Sequence, residues 1–127
     1  MALQSGDVER ARAALGAATE LLERLADRSD PAWRNLHRLR ARLAVADMKP
    51  DSALAHADAA LTLARAQAID AQASTAVGED LLLRAEVLAA QGAREGAARD
   101  TRAAVVHFER TADPSHPALA QARRLAG

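Results

Sequence analysis

The chain has 127 residues, enough for one domain with a modest core and too many to need disulfides or a metal to stay folded. Half of the residues are apolar, only Trp33 and Phe108 are aromatic, and 17 basic side chains balance 17 acidic ones. That balance argues against a general nucleic-acid or membrane-surface binder, which would carry a basic excess. The absence of cysteine excludes disulfides, thiol catalysis and Cys-based zinc sites.

Alanine and leucine dominate the apolar set, and both are strong helix formers, while β-branched and aromatic residues are scarce. The composition therefore predicts an all-α protein. No apolar run approaches the roughly 18 residues of a membrane span, and Met1-Ala2-Leu3-Gln4-Ser5-Gly6-Asp7 has no export-signal pattern. A cytoplasmic location is the expectation.

Apolar residues recur by threes and fours in six segments. The first helix is expected over 7–27, capped by Asp7, with Val8, Ala11, Leu15, Ala18, Leu22 and Leu25 inward. Pro31 suits the first turn of a second helix, because its missing amide would be unpaired there anyway. That helix runs to about Asp47 and turns Trp33, Leu36, Leu39, Leu43 and Ala46 inward. Lys49-Pro50-Asp51 reads as a turn, and the third helix as Ser52 to about Ala68 on the stripe Leu54, Ala57, Leu61, Ala64 and Ala68. A looser stretch, Ile69 to Thr75, leads to a fourth helix closed by Gly92, which adopts a left-handed conformation cheaply. The fifth spans about Arg94 to Arg110, with Ala97, Thr101, Ala104, Val105 and Phe108 inward. Asp113-Pro114-Ser115-His116-Pro117 ends it and opens a short helix through Leu119, Ala122 and Leu125.

An internal repeat organises these segments. At an offset of 44, Met48 falls on Gly92, Ala41 on Ala85, Ala53 on Ala97 and Ala60 on Ala104. Gly6, Ala11 and Ala18 stand in the same relation at the start of the chain. A methyl side chain at a crossing lets two helix axes approach closely, with leucines filling either side. A hairpin built this way leaves one face bare, which the next hairpin covers. Ala97→Glu and Ala104→Glu are both expected to destabilise strongly.

Leu81-Leu82-Leu83-Arg84-Ala85, then Gly92-Ala93-Arg94-Glu95-Gly96-Ala97 and Ala104, resembles a tetratricopeptide repeat: a small residue in the first helix, a glycine turn, two small residues in the second. Gly6-Asp7-Val8-Glu9-Arg10-Ala11 with Ala18 resembles the second half of one. The period is 42–44 residues instead of the common 34. It is similar to the longer variant of kinesin light chains and bacterial regulatory proteins, including tails of some serine/threonine kinases. The segment from Asp113 to Ala120 is similar to that variant's inter-repeat linker. The resemblance implies an α-solenoid of antiparallel helix hairpins with about six helices in one domain: a half repeat at 7–27, repeats at 31–68 and 75–110, and a capping helix at 117–126. Arginine, 16 of the 17 basic residues, points to a GC-rich, bacterial source.

Candidate chemistry is sparse. Arg34, Arg38 and Arg42 recur every four residues. The stripe would either grip carboxylates or phosphates of a ligand or form a solvated face paired with acidic neighbours. The resemblance places Arg38 and Arg42 in a concave groove with Leu82 and Glu86 at the equivalent places of the next repeat, and the alignment of Arg42 with Glu86 suggests a bridge between repeats. His37, His56, His107 and His116 stand singly, with no i, i+4 pair for zinc. Ser115-His116, between two prolines, lacks an orienting acid and reads as a linker. Glu79-Asp80 reads as helix-dipole charge in or near the first turn of the fourth helix, and Trp33 as a core residue. No catalytic residue, metal or cofactor is expected. The reading is a non-enzymatic scaffold that binds a peptide or protein, with no nucleic-acid or membrane partner. A homodimer through the terminal helices and a detached kinase or regulator tail are its alternatives.

Overall fold

Two turns set the direction of the chain, and they are copies of each other. At Asp47-Met48-Lys49 the backbone of Met48 enters the left-handed region (φ 59°), and 44 residues later Gly92 does the same (φ 80°). The amide of Lys49 donates to Ala44 O (2.8 Å) and that of Met48 to Val45 O (3.1 Å); Ala93 donates to Leu88 O (2.9 Å) and Gly92 to Ala89 O (3.0 Å). This 6→1 and 5→2 pairing is a Schellman motif, which satisfies carbonyls that a helix end leaves open. Methionine in that conformation costs about 1 kcal/mol, a penalty glycine avoids.

The computed structural model describes residues 5–24, 31–70, 72–111 and 117–126. They form six helices: α1 (Ser5–Glu23), α2 (Pro31–Ala46), α3 (Pro50–Gln67), α4 (Thr75–Ala90), α5 (Arg94–Arg110) and α6 (Pro117–Ala126). No strand occurs among the described residues. Each helix packs on the next in chain order, and α2 also touches α4. Contacts between α3 and α4 run from Gln91 Nε2 donating to Pro50 O (2.8 Å) to Arg84 donating to Asp58 (3.1 Å), so the two helices are antiparallel. Arg12 with Asp47 and Arg40 with Thr19 show the same for α1 and α2.

The core is distributed along the stack. Leu22, Trp33 and Leu36 close α1 on α2; Ala41, Ala44, Ala53 and Ala57 receive Leu83 and Val87 of α4. Leu61, Val77, Leu81, Leu82, Ala104 and Phe108 then form a third cluster with Leu119 and Ala122 of α6. Serial clusters of this kind make stability a sum over neighbouring layers. The alanines at the crossings do what the repeat requires: Ala41, Ala53, Ala60, Ala85 and Ala104 are all buried. Gly78 serves the same purpose between α4 and α5, since a Cβ there would stand 2.8 Å from Phe108 Cε1.

Several boundaries differ from the sequence expectation. α1 begins at Ser5, which puts Asp7 in its first turn instead of at its cap, and it ends at Glu23. α3 begins at Pro50, because proline at the first helical position leaves no amide unpaired. Ser74 caps α4, its Oγ accepting the Val77 amide (3.2 Å). Ala97 is only half-buried, unlike its partner Ala53. The linker at 112–116, with Ser115 and His116, lies outside the described residues.

Candidate interaction surface

The arginine stripe of α2 meets the fourth helix at a carboxylate that solvent does not reach. Asp80 is 0 % exposed. Arg34 Nε donates to Asp80 Oδ2 (2.7 Å) and Arg34 Nη2 to Oδ1 (3.2 Å), while Arg38 Nη1 also donates to Oδ1 (2.9 Å). Arg34 Nη2 further reaches Glu79 Oε1 (3.3 Å) and Ala76 O (3.2 Å). Two guanidinium groups and two carboxylates make this cluster formally neutral. Burial is the largest single influence on Arg34 and opposes its charge, but hydrogen bonding and charge attraction to Asp80 and Glu79 together outweigh it and hold the proton more tightly. For Arg38 burial prevails over Asp80, with Arg34 and Arg42 adding like charge, and its proton affinity falls. Both stay cationic at any working pH.

Asp80 lies just beyond the first turn, which holds no acid, and to the dipole charge that the sequence suggested its arginine partners add a role between helices. Its chemistry is that of a brace. A carboxylate enclosed by two arginines is out of reach of any substrate.

A second brace crosses α4 one layer on. Arg84 grips the buried Asp100 of α5 with a fork, Nε to Oδ2 at 2.7 Å and Nη2 to Oδ1 at 3.0 Å, and donates to Asp58 of α3 through Nη1 (3.1 Å). The hydrogen bond to Asp100 is the main cause that pushes the arginine above its ordinary value.

The other residues of the expected surface are distributed differently. Arg42 is exposed. Leu82 is buried in the cluster that contains Leu119 and Ala122 of α6. Glu86 is half-buried and accepts a hydrogen bond from Gln121 Nε2 of α6 (3.0 Å), so its described partner is Gln121 and not Arg42. Sequence reasoning missed Asp80, Arg84 and Asp100 as braces, since each partner lies on another helix. It also treated the histidines as isolated, although His37 and His56 meet across α2 and α3.

His107 has a separate role. Its Nδ1 accepts the amide of Ser74 (3.1 Å), supporting the cap of α4. Burial first, then Arg110 and Arg65, lower the proton affinity of His107 below the ordinary value. Above about pH 6.5 the ring is neutral in both folded and unfolded chains, and its contribution is fully present. As pH falls through that value the unfolded chain takes the proton first, and stability declines. His107→Gln, which offers an amide oxygen at every pH, is expected to remove part of this decline in urea titrations between about pH 7 and 5. Identical slopes for both proteins would exclude the role.

Among the described residues there is no group of three or more His, Cys, Asp or Glu side chains able to hold a metal ion, and no helix is long and apolar enough to cross a membrane. Comparison with known proteins finds no matching family model, curated protein or solved structure.

Proposed function

We propose that this chain is a protein–protein interaction scaffold of the tetratricopeptide type, which takes a peptide or protein partner on the surface formed by α2 and α4. The observation that carries this reading is the row of first helices. Arg34 and Arg38 tie α2 to Glu79 and Asp80 of α4, and Gln121 ties α6 to Glu86 of α4. A surface braced in this way presents its free groups at fixed spacing, so little ordering is left for the binding step.

The free groups are Asn35, Arg42 and Val45 on α2, one helical face at i, i+7 and i+10, with the half-exposed Glu79 and Glu86 beside them on α4. Two of the three stripe arginines are neutralised within the fold, leaving Arg42 as the cation offered outward. A mixed-charge peptide suits this face better than a polyphosphate. The chain carries no reaction of its own in this reading, and a bacterial cytoplasm is the setting it suits.

Peptides selected from a random display library on the immobilised full chain provide the test. Their affinity is expected to fall about tenfold or more, roughly 1.4 kcal/mol, for Arg42→Glu. Selected peptides that bind Arg42→Glu and Glu86→Arg as tightly as the unaltered chain would overturn the assignment of this face.

A further inference from the structure

His37 of α2 and His56 of α3, 19 residues apart in the chain, point their Nδ1 atoms at each other at 3.1 Å. The ring centroids are 5.3 Å apart with planes inclined by 28°. The centroid separation exceeds the nitrogen gap by about two ring radii, so both nitrogens lie nearly on the line joining the rings. Imidazoles that ligate one metal ion need lone pairs that converge on it from bonds of about 2.0–2.1 Å. Rings meeting head-on instead share a proton as N–H···N.

The protonation states of such a pair are unequal. When both rings are neutral, one Nδ1 donates and the other accepts. A first added proton enters at the outer Nε2 of the donor ring and strengthens the bond. A second has to occupy the accepting Nδ1, which puts two N–H groups face to face between two cations.

The surroundings make that second step costly. Arg40 of α2 is the charge that, after burial, disfavours the protonated form of His56. Of the acidic groups on the neighbouring helices, Asp58 of α3 pairs with Arg84, and Glu79 and Asp80 of α4 pair with Arg34 and Arg38. α1 offers Thr19, whose hydroxyl accepts from Arg40 (3.3 Å). A cleft of about 320 Å³, lined by Trp33, His37, Arg40, Ala59, Thr62 and Leu63, opens beside His37.

The seat of α1 lies next to these rings. Leu22 of α1 forms a cluster with Trp33 and Leu36 of α2, against which Leu15 and Ala18 of α1 and Leu63 of α3 also pack. The indole of Trp33 is 6.4 Å from the His37 ring. Two walls of this seat therefore belong to the two helices that the histidines join.

We propose that the His37–His56 pair is an acid-sensitive latch between α2 and α3, closed while the pair carries at most one positive charge and opened by the second proton, which loosens α1 from its seat. The latch acts on the fold beneath the proposed interaction surface and stands independently of that assignment.

Imidazole NMR of the unaltered chain tests this directly. The two rings are expected to titrate in two steps separated by more than about one pH unit. Across the lower step, α1 amides should exchange about tenfold faster or more, and the emission of Trp33, the single tryptophan, should change. The His37→Gln/His56→Gln double variant should lose that change in emission, and His107→Gln should keep it. Independent titration of both rings near about pH 6.5, or α1 exchange unaltered across the lower step, would overturn the proposal. The NMR result requires no variant, so it stands even if the double variant folds poorly.

Discussion

Replacing Asp80 by alanine is expected to destabilise the protein by about 3–5 kcal/mol, the usual effect of removing one partner from a buried ion pair. The large figure follows from what remains. Arg34 and Arg38 would keep their charges in a half-buried position, lose three hydrogen bonds between them and repel each other. Urea denaturation at neutral pH measures the effect. The brace is refuted by a loss under about 1 kcal/mol, which is what an exposed pair would contribute. Replacing all three residues with apolar side chains of similar volume should recover much of the loss, since a buried ion cluster stabilises chiefly against its own dismemberment.

Two alanines in α5 that the repeat treats alike should respond very differently to a carboxylate. Ala104 is 0 % exposed among Leu81, Leu82 and Phe108, and Ala104→Glu forces an unpaired charge into that cluster. The expected cost is several kcal/mol, on the order of 4 or more. Ala97 instead lines an open cleft of about 440 Å³ with Ala85, Glu86, Ala89, Arg94, Ala98 and Thr101. A glutamate there reaches water and stands near Arg94, so Ala97→Glu should cost under about 1 kcal/mol, a surface-like effect. Thermal melts of the two variants decide the matter; equal losses would mean that the face of α4 and α5 bearing Ala97 is covered in solution.

The contrast shows how far the repeat could be read from sequence. Ala53 and Ala97 are equivalent by offset, and their amides make the same bond, to Lys49 O and Ala93 O, each at 3.0 Å. Burial separates them. Leu83 and Val87 of α4 cover the first, whereas the ten residues of α6 pack on the cluster around Ala104 and Phe108. The alanine pattern records the local geometry of a hairpin, and the number of layers stacked on it determines which alanines are buried.

The arginine stripe was legible as a pattern and ambiguous as chemistry. Spacing of four residues placed Arg34, Arg38 and Arg42 along one side of a helix, but their partners could not be read from α2. Asp80 lies 46 residues beyond Arg34 and 42 beyond Arg38, and no repeat of the pattern announces it. Gly78 stands 44 residues after Arg34, so the repeat itself offers no acid at that site.

Residue composition and 3.6-residue periodicity alone determined that this chain is helical, and Pro31 and Gly92 marked where two of its helices begin or end. These are local properties: propensity, a missing amide and a left-handed backbone act within a few residues. Only the tertiary structure decided which charges are braces, which alanines are covered and which histidines meet, because each of those outcomes depends on a side chain contributed by another helix.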